Sequence, residues 1–220
     1  MRGLSTPFRL YAGLVLFSIA GTAFTRLSGF DPGLIAPVAA ALTLLTGTWA
    51  AVRTCRSVGS LLAAGTFGAM SELAGLATGF PFGRYEYTRA WQPAVFLGPL
   101  GYFPLLLPLA WLLVAGAAER ITHPLPTWAA VPLAGAVAAL VDLVMEPVAT
   151  GPLGYWRWYD PGPLPGGAGW ANLLGWFGVS AIGASLLRRS AAPDADARRE
   201  AALVLVLHLA MFGAIWTFRR

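Results

Sequence analysis

Seven apolar runs, each long enough to cross a bilayer, constrain this chain more than any other feature. They fall at about residues 8–24, 33–52, 58–78, 95–118, 127–149, 170–187 and 201–218. A spanning helix needs about 17–25 residues, so every run qualifies, the first and sixth narrowly. The pattern predicts an all-α fold: a polytopic integral membrane helix bundle of about seven transmembrane helices, with residues 1–220 forming a single transmembrane domain. Composition agrees. Hydrophobic residues make up 57% of the chain and charged residues only 11%, roughly half the charged share of a soluble domain. A surface so poor in polar groups is expected to be solvated by lipid. The first run follows Arg2 and Arg9 and ends in small residues, as a signal peptide does. It is long for that role, and six more runs follow, so we read it as a span.

The formal charge of +5 comes from arginine alone, because the sequence has no lysine. The arginines stand in ones and twos at the ends of apolar runs, where they anchor helices at the interface; this is a poor pattern for nucleic acid, and no nucleic-acid partner is expected. Nine arginines fall on the N-terminal side of the alternating loops and six on the other, which predicts the N-terminus inside and the C-terminus outside. The lone Cys55 excludes an internal disulfide and a Cys-rich metal site.

The third and fifth loops depart from ordinary connectors. Gly79-Phe80-Pro81-Phe82-Gly83-Arg84-Tyr85-Glu86-Tyr87-Thr88 and Gly154-Tyr155-Trp156-Arg157-Trp158-Tyr159-Asp160-Pro161-Gly162-Pro163 both mix aromatics, Gly, Pro and a few charges, and both fall on the same expected side. They read either as an aromatic belt at headgroup level or as a pair of loops lidding a site for a long apolar ligand; their position next to the acids below favours the lid. Residues 188–200 read as a solvated linker without chemistry.

Three acids break the apolar runs. Glu72 lies within the third, and Asp142 and Glu146 lie in the last third of the fifth. An acid in hydrocarbon is costly and marks a functional candidate. Asp142 and Glu146, spaced i, i+4, share one helix face. Two carboxylates that close do not both ionise readily, so one is expected to hold a proton, the arrangement acid–base chemistry requires. Pro147 either frees a backbone carbonyl or ends the helix. The third and fifth runs point the same way, which brings Glu72 to a similar depth as Asp142. Gly68, Ser71, Gly75 and Gly79 would let another helix approach the third run closely. Arg84, Arg89 and Arg157 can reach the acids from the loops; if they neutralise them, the cluster locks the bundle and does no chemistry. Asn172 opens the sixth run, placed to bond between helices or to orient a carboxylate or water. His123 lies in a Pro-rich loop on the opposite side, and His208, alone in the last run, reads as a helix–helix hydrogen bond. No phosphate loop, Ser-His-Asp pattern or metal-ligand spacing is present, so no metal is expected.

These residues carry a resemblance. Ser71-Glu72-Leu73 through Thr78-Gly79-Phe80-Pro81-Phe82-Gly83-Arg84-Tyr85-Glu86-Tyr87-Thr88 resembles the first signature of the CruF-type carotenoid hydratases, membrane proteins of carotenoid biosynthesis. Asp142-Leu143-Val144-Met145-Glu146-Pro147-Val148, then Gly154-Tyr155-Trp156-Arg157-Trp158, then Asn172-Leu173-Leu174-Gly175-Trp176-Phe177, resembles the second, and Gly98-Pro99 to Pro108-Leu109-Ala110-Trp111 also fits. The resemblance covers roughly residues 60–180. Two places differ: Glu146-Pro147 stands where the family commonly has Asp-Pro, and residues 165–169 are richer in Gly.

The resemblance implies addition of water across the terminal 1,2 double bond of an acyclic carotenoid ψ-end, giving a tertiary alcohol without a redox or metal cofactor. Glu72, Asp142 and Glu146 then divide the acid, base and orienting roles. Phe82, Arg84, Tyr85, Tyr87, Trp156, Trp158, Asn172 and Trp176 are the expected substrate-binding residues, electron-rich rings being suited to a carbocation. The expected partners are the lipid-soluble polyene, membrane lipids and other enzymes of carotenoid biosynthesis, in the bacterial inner membrane. The competing class is a transporter or a noncatalytic carotenoid- or lipid-binding scaffold that uses the same acids as a proton or cation site.

Overall fold

The computed structural model describes residues 3–189 and 192–219; Met1, Arg2, Ser190, Ala191, Arg220 and the side chain of Arg219 lie outside the described set. Within it the chain forms seven helices: α1 (Thr6–Ser28), α2 (Ile35–Val52), α3 (Val58–Thr78), α4 (Leu107–Thr122), α5 (Thr127–Thr150), α6 (Trp170–Leu187) and α7 (Ala195–Arg219). All but α4 are long and apolar enough to cross a membrane. Their outer faces carry exposed leucines such as Leu16, Leu27, Leu62 and Leu174. Apolar surface this extensive is stable only against lipid, and the fold is an integral membrane bundle.

The apolar run at 95–118 is where sequence and structure part. It does not form one helix. Pro93, Pro99 and Pro104 cannot donate to a helical ladder, and residues 94–104 form two short strands instead. The helix begins only at Leu107 and spans 16 residues, about 24 Å at ~1.5 Å per residue. It is tolerated because α4 is the bundle's central post. It packs against α2, α3, α5, α6 and α7, and from Leu113 to Arg120 every residue is buried. A helix enclosed by other helices has no lipid thickness to match.

Of the 188–200 stretch, read as a solvated linker, Ser190 and Ala191 lie outside the described residues, and the rest is tied into the bundle. The Asp194 side chain accepts from the Ala197 N–H at 2.7 Å, as an N-cap does, and α7 starts there. Arg188 donates to the carbonyls of His123 (3.0 Å) and Leu125 (2.5 Å). Glu200 is buried, accepting from the backbone N–H and hydroxyl of Ser5 and from Arg53 at 2.8 Å, so this stretch fastens α7 to α1 and to the end of α2.

The third and fifth loops do lie on one side, joined as a small antiparallel sheet. Its strands are β1 (Tyr85–Tyr87), β2 (Ala94–Phe96), β3 (Tyr102–Pro104) and β4 (Trp156–Trp158), in the order β2-β3-β1-β4. The central register is Tyr85 opposite Trp158, Glu86 opposite Arg157 and Tyr87 opposite Trp156. Side chains alternate between the faces of a strand. One face therefore sends Tyr85, Tyr87, Trp156 and Trp158 down onto the helix ends, and the other sends Glu86 and Arg157 outward. The sheet is a lid with an aromatic underside.

Candidate acid cluster beneath the aromatic lid

The three acids meet. Glu72 from α3 and Asp142 and Glu146 from α5 line one cavity of about 50 Å³, together with Phe82, Tyr85, Tyr87, Trp156, Trp158, Asn172 and Trp176. All three acids are buried. The volume holds a few water-sized groups. Every ring expected at the site lines this cavity.

The lid strands and α6 supply the donors that let carboxylates stay there. Glu72 accepts from the hydroxyls of Tyr85 and, at 2.9 Å, Tyr87. Burial first, and the Glu72 carboxylate second, push both phenols well above their ordinary range, so both remain donors at any physiological pH. Gly75, one turn beyond Glu72, makes room for this: a Cβ there would stand 2.8 Å from the Tyr85 hydroxyl. This position serves the lid, whereas the sequence suggested a neighbouring helix. Glu146 Oε2 accepts from the indole N–H groups of Trp156 and Trp158, both at 3.2 Å. The Asn172 amide donates to Glu146 Oε1 at 3.0 Å and to Asp142 Oδ2 at 2.7 Å, so a single side chain from α6 ties the pair together. Asp142 Oδ1 is buried without a hydrogen-bond partner. The Trp111 indole N–H lies beside Glu72 without completing a hydrogen bond.

Two features of the backbone hold Glu146 in place. Pro147 does not end α5, which runs on to Thr150; it only removes one N–H from the ladder. The Gly-rich turn at 165–167 packs directly on that point. A Cβ on Gly166 would stand 2.6 Å from the Glu146 carbonyl carbon, and Thr150 donates to the Gly166 carbonyl at 3.1 Å. Gly166 is what lets the turn lie against α5.

Among the described residues, no arginine pairs with the acids. Arg84 is exposed, 3.6 Å from Asp160 and over the Tyr159 ring; it is the one expected binding residue that does not line the cavity. The reason is strand alternation, since Arg84 falls in step with Glu86 on the outer face. Arg157 faces Glu86 at 4.0 Å, and Arg89 donates to the Tyr102 hydroxyl at 2.5 Å. The acid cluster is thus not locked by guanidinium groups. Its partners are neutral O–H and N–H donors, which favour a carboxylate.

Three aromatic or titratable cavity residues, Trp91, Trp111 and His208, were not among the expected site residues. Trp91 stacks on Tyr155 at 5.1 Å and Trp111 on Trp176 at 4.1 Å, and both line the cavity. His208 makes the expected helix–helix bond, with Tyr11 Oη at 3.4 Å from Nδ1, and also faces the cavity. Trp111 stands in a segment that supports the resemblance, which was the one available signal; Trp91 and His208 had none.

A family model described as carotenoid biosynthesis protein matches residues 32–219. The chain belongs to the carotenoid biosynthesis protein family. The match takes in every residue of the acid cluster and its lid, and gives the protein a role in carotenoid biosynthesis. No curated protein and no solved structure matches the chain. Within the family's broad role, the site offers buried acids without counter-cations, a wall of rings, and space for a small apolar group: the parts needed for proton-driven chemistry on a hydrocarbon.

Proposed function

We propose that this protein is a carotenoid 1,2-hydratase, adding water to the terminal double bond of an acyclic carotenoid ψ-end. The supporting observation is the unequal treatment of the acids around Asn172. Glu146 receives three N–H donors and Glu72 two O–H donors, which favours their ionised forms. Asp142 receives one, and its Oδ1 has no partner in the protein. A third negative charge here would be repelled by two others and poorly solvated. Asp142 therefore carries the proton, on the oxygen that no protein group engages.

The reaction then balances without an oxidant or reductant. Asp142 gives its proton to the less substituted alkene carbon, and the π pair forms the new C–H bond. The tertiary cation at the other carbon is steadied by the Glu72 carboxylate and by the faces of Trp111, Trp156 and Trp176. Water adds to that carbon while Glu146 takes the proton released from it. That proton passes back to Asp142, restoring the starting state. The substrate is as apolar as the bilayer, and we place the reaction in the bacterial inner membrane, where other carotenoid enzymes supply the polyene.

The test is expression in cells that make an acyclic carotenoid, with pigments separated by polarity. The wild type yields a hydroxylated product, and Asp142→Asn, Glu146→Gln and Glu72→Gln each yield far less. Full conversion by all three amides, or an unchanged pigment profile with altered pigment distribution, would rule out this reaction, the second outcome indicating a carrier.

A further inference from the structure

A second, larger cavity of about 690 Å³ lies between the lid-side halves of α1, α2 and α7. It adjoins the acid cavity, and Leu44, Trp91, Ala110, Met145, Trp156 and His208 line both. Its wall is mostly hydrocarbon, with Ser18, Gln92, Tyr155 and His208 among the polar residues on it. The Thr22, Thr25 and Thr43 hydroxyls are turned back onto carbonyls of their own helices, at 2.7, 2.9 and 2.7 Å, so a polar ligand would find few partners there. The outer rim, Phe17, Phe24, Phe30 and Ile35, lines the chamber and is also half exposed, so the chamber opens on the apolar outer surface of the bundle.

We infer that this chamber houses the hydrocarbon chain that trails the reactive end of the substrate, and that the chain slides in from the bilayer past this rim. The inference rests on the hydratase reading for the identity of the occupant, a linear isoprenoid polyene. The geometry is that of a small acid-bearing cavity beside a large apolar chamber. The reacting terminus fits the first and the conjugated chain the second. Burying such a chain supplies binding energy remote from the reacting carbons, which positions the terminus against Asp142.

Gly21 lines the chamber, and a Cβ built on it meets nothing within 4 Å; Gly21→Trp is the variant chosen to fill the space. Ala40→Trp does the same from α2, and decides the matter should Gly21→Trp not fold. Gly13→Trp, exposed on α1 and outside the chamber, is the control. The readout is circular dichroism in the visible band of lycopene, an achiral acyclic carotenoid, titrated into phosphatidylcholine nanodiscs holding each variant. Lycopene in lipid alone is optically silent, whereas an asymmetric cavity imposes a signal. The expected result is a saturable signal for wild type and Gly13→Trp, with apparent affinity lowered at least about tenfold in the two chamber variants. Absence of a saturable signal, equal affinity in all variants, or equal loss in Gly13→Trp would overturn the inference. Pigment analysis of the same samples separates the two readings. Saturable binding without a hydroxylated product ends the hydratase reading and leaves the chamber. Conversion undiminished by a filled chamber does the reverse.

Discussion

The bundle buries acids at both ends, and treats them in opposite ways. At the end away from the lid, Glu119 stands 3.4 Å from the Arg120 guanidinium and 2.5 Å from His123, and Glu200 meets Arg53 and Ser5. Cations and tight packing surround these acids. Beneath the lid, Glu72, Asp142 and Glu146 have only neutral donors, and they border a cavity. A buried carboxylate beside a guanidinium is one half of an ion pair that fastens helices. One held by phenol, indole and amide groups retains a choice of protonation state. The contrast separates acids that fasten helices from acids equipped to move protons, although both appear in the sequence as charges at the edge of apolar runs.

The largest effect expected at the lid end is Asp142→Asn. It keeps the shape and the Asn172 bond and removes the acid. Conversion measured by pigment chromatography should fall by about 10²–10⁴, with an unchanged elution profile and thermal midpoint. The matching experiment at the far end is Arg120→Met, which leaves Glu119 buried with His123 as its remaining partner. Stability should drop by about 3–5 kcal/mol, read as a lower thermal midpoint in detergent, while conversion per folded molecule stays within about twofold. If Arg120→Met abolishes conversion in folded protein, the two ends are not separate in function. Trp158→Phe sharpens the comparison within the site. It removes one of three N–H donors from Glu146, and loss of a hydrogen bond to a charged group is worth about 1.5–3 kcal/mol, so conversion should fall roughly tenfold to a hundredfold. Trp156→Phe should match it, and a combined variant should exceed either. The smallest effect belongs to the lid's outer face. Arg157→Gln breaks only an exposed contact with Glu86, and conversion should change less than about twofold. A large loss there would mean that the sheet register, and not the donors beneath it, governs the site.

Much of this was legible in the chain, because hydrocarbon imposes simple rules. The runs at 58–78, 127–149 and 170–187 are helices within a residue of those limits. Asp142 and Glu146 share a face because they are four apart. The two aromatic loops join as a lid on the side where the acids lie. Other features were not legible. Arg84 sits among aromatic cavity residues in sequence, yet strand alternation turns it to the outer face, and no helical or hydropathy pattern reports the phase of a three-residue strand. The run at 95–118 has the composition of a span, but its prolines and the pairing of β3 with β1 divide it. Trp91 and His208 come from segments far apart in sequence and reach the site only through packing. Glu200 lies in a stretch that reads as solvated, and is buried because α1 returns beside α7.

The amino-acid sequence alone determined that this protein lives in lipid, where its helices run, and which carboxylates are too costly to be there by accident. Those follow from the price of an unpaired polar group in hydrocarbon, which each segment meets on its own. Tertiary structure decided which acids are tied to a cation and which are not, which rings face inward, and that a hydrocarbon chamber adjoins the acid cavity. Each of these depends on the relative placement of elements distant along the chain, so no single stretch of residues contains it.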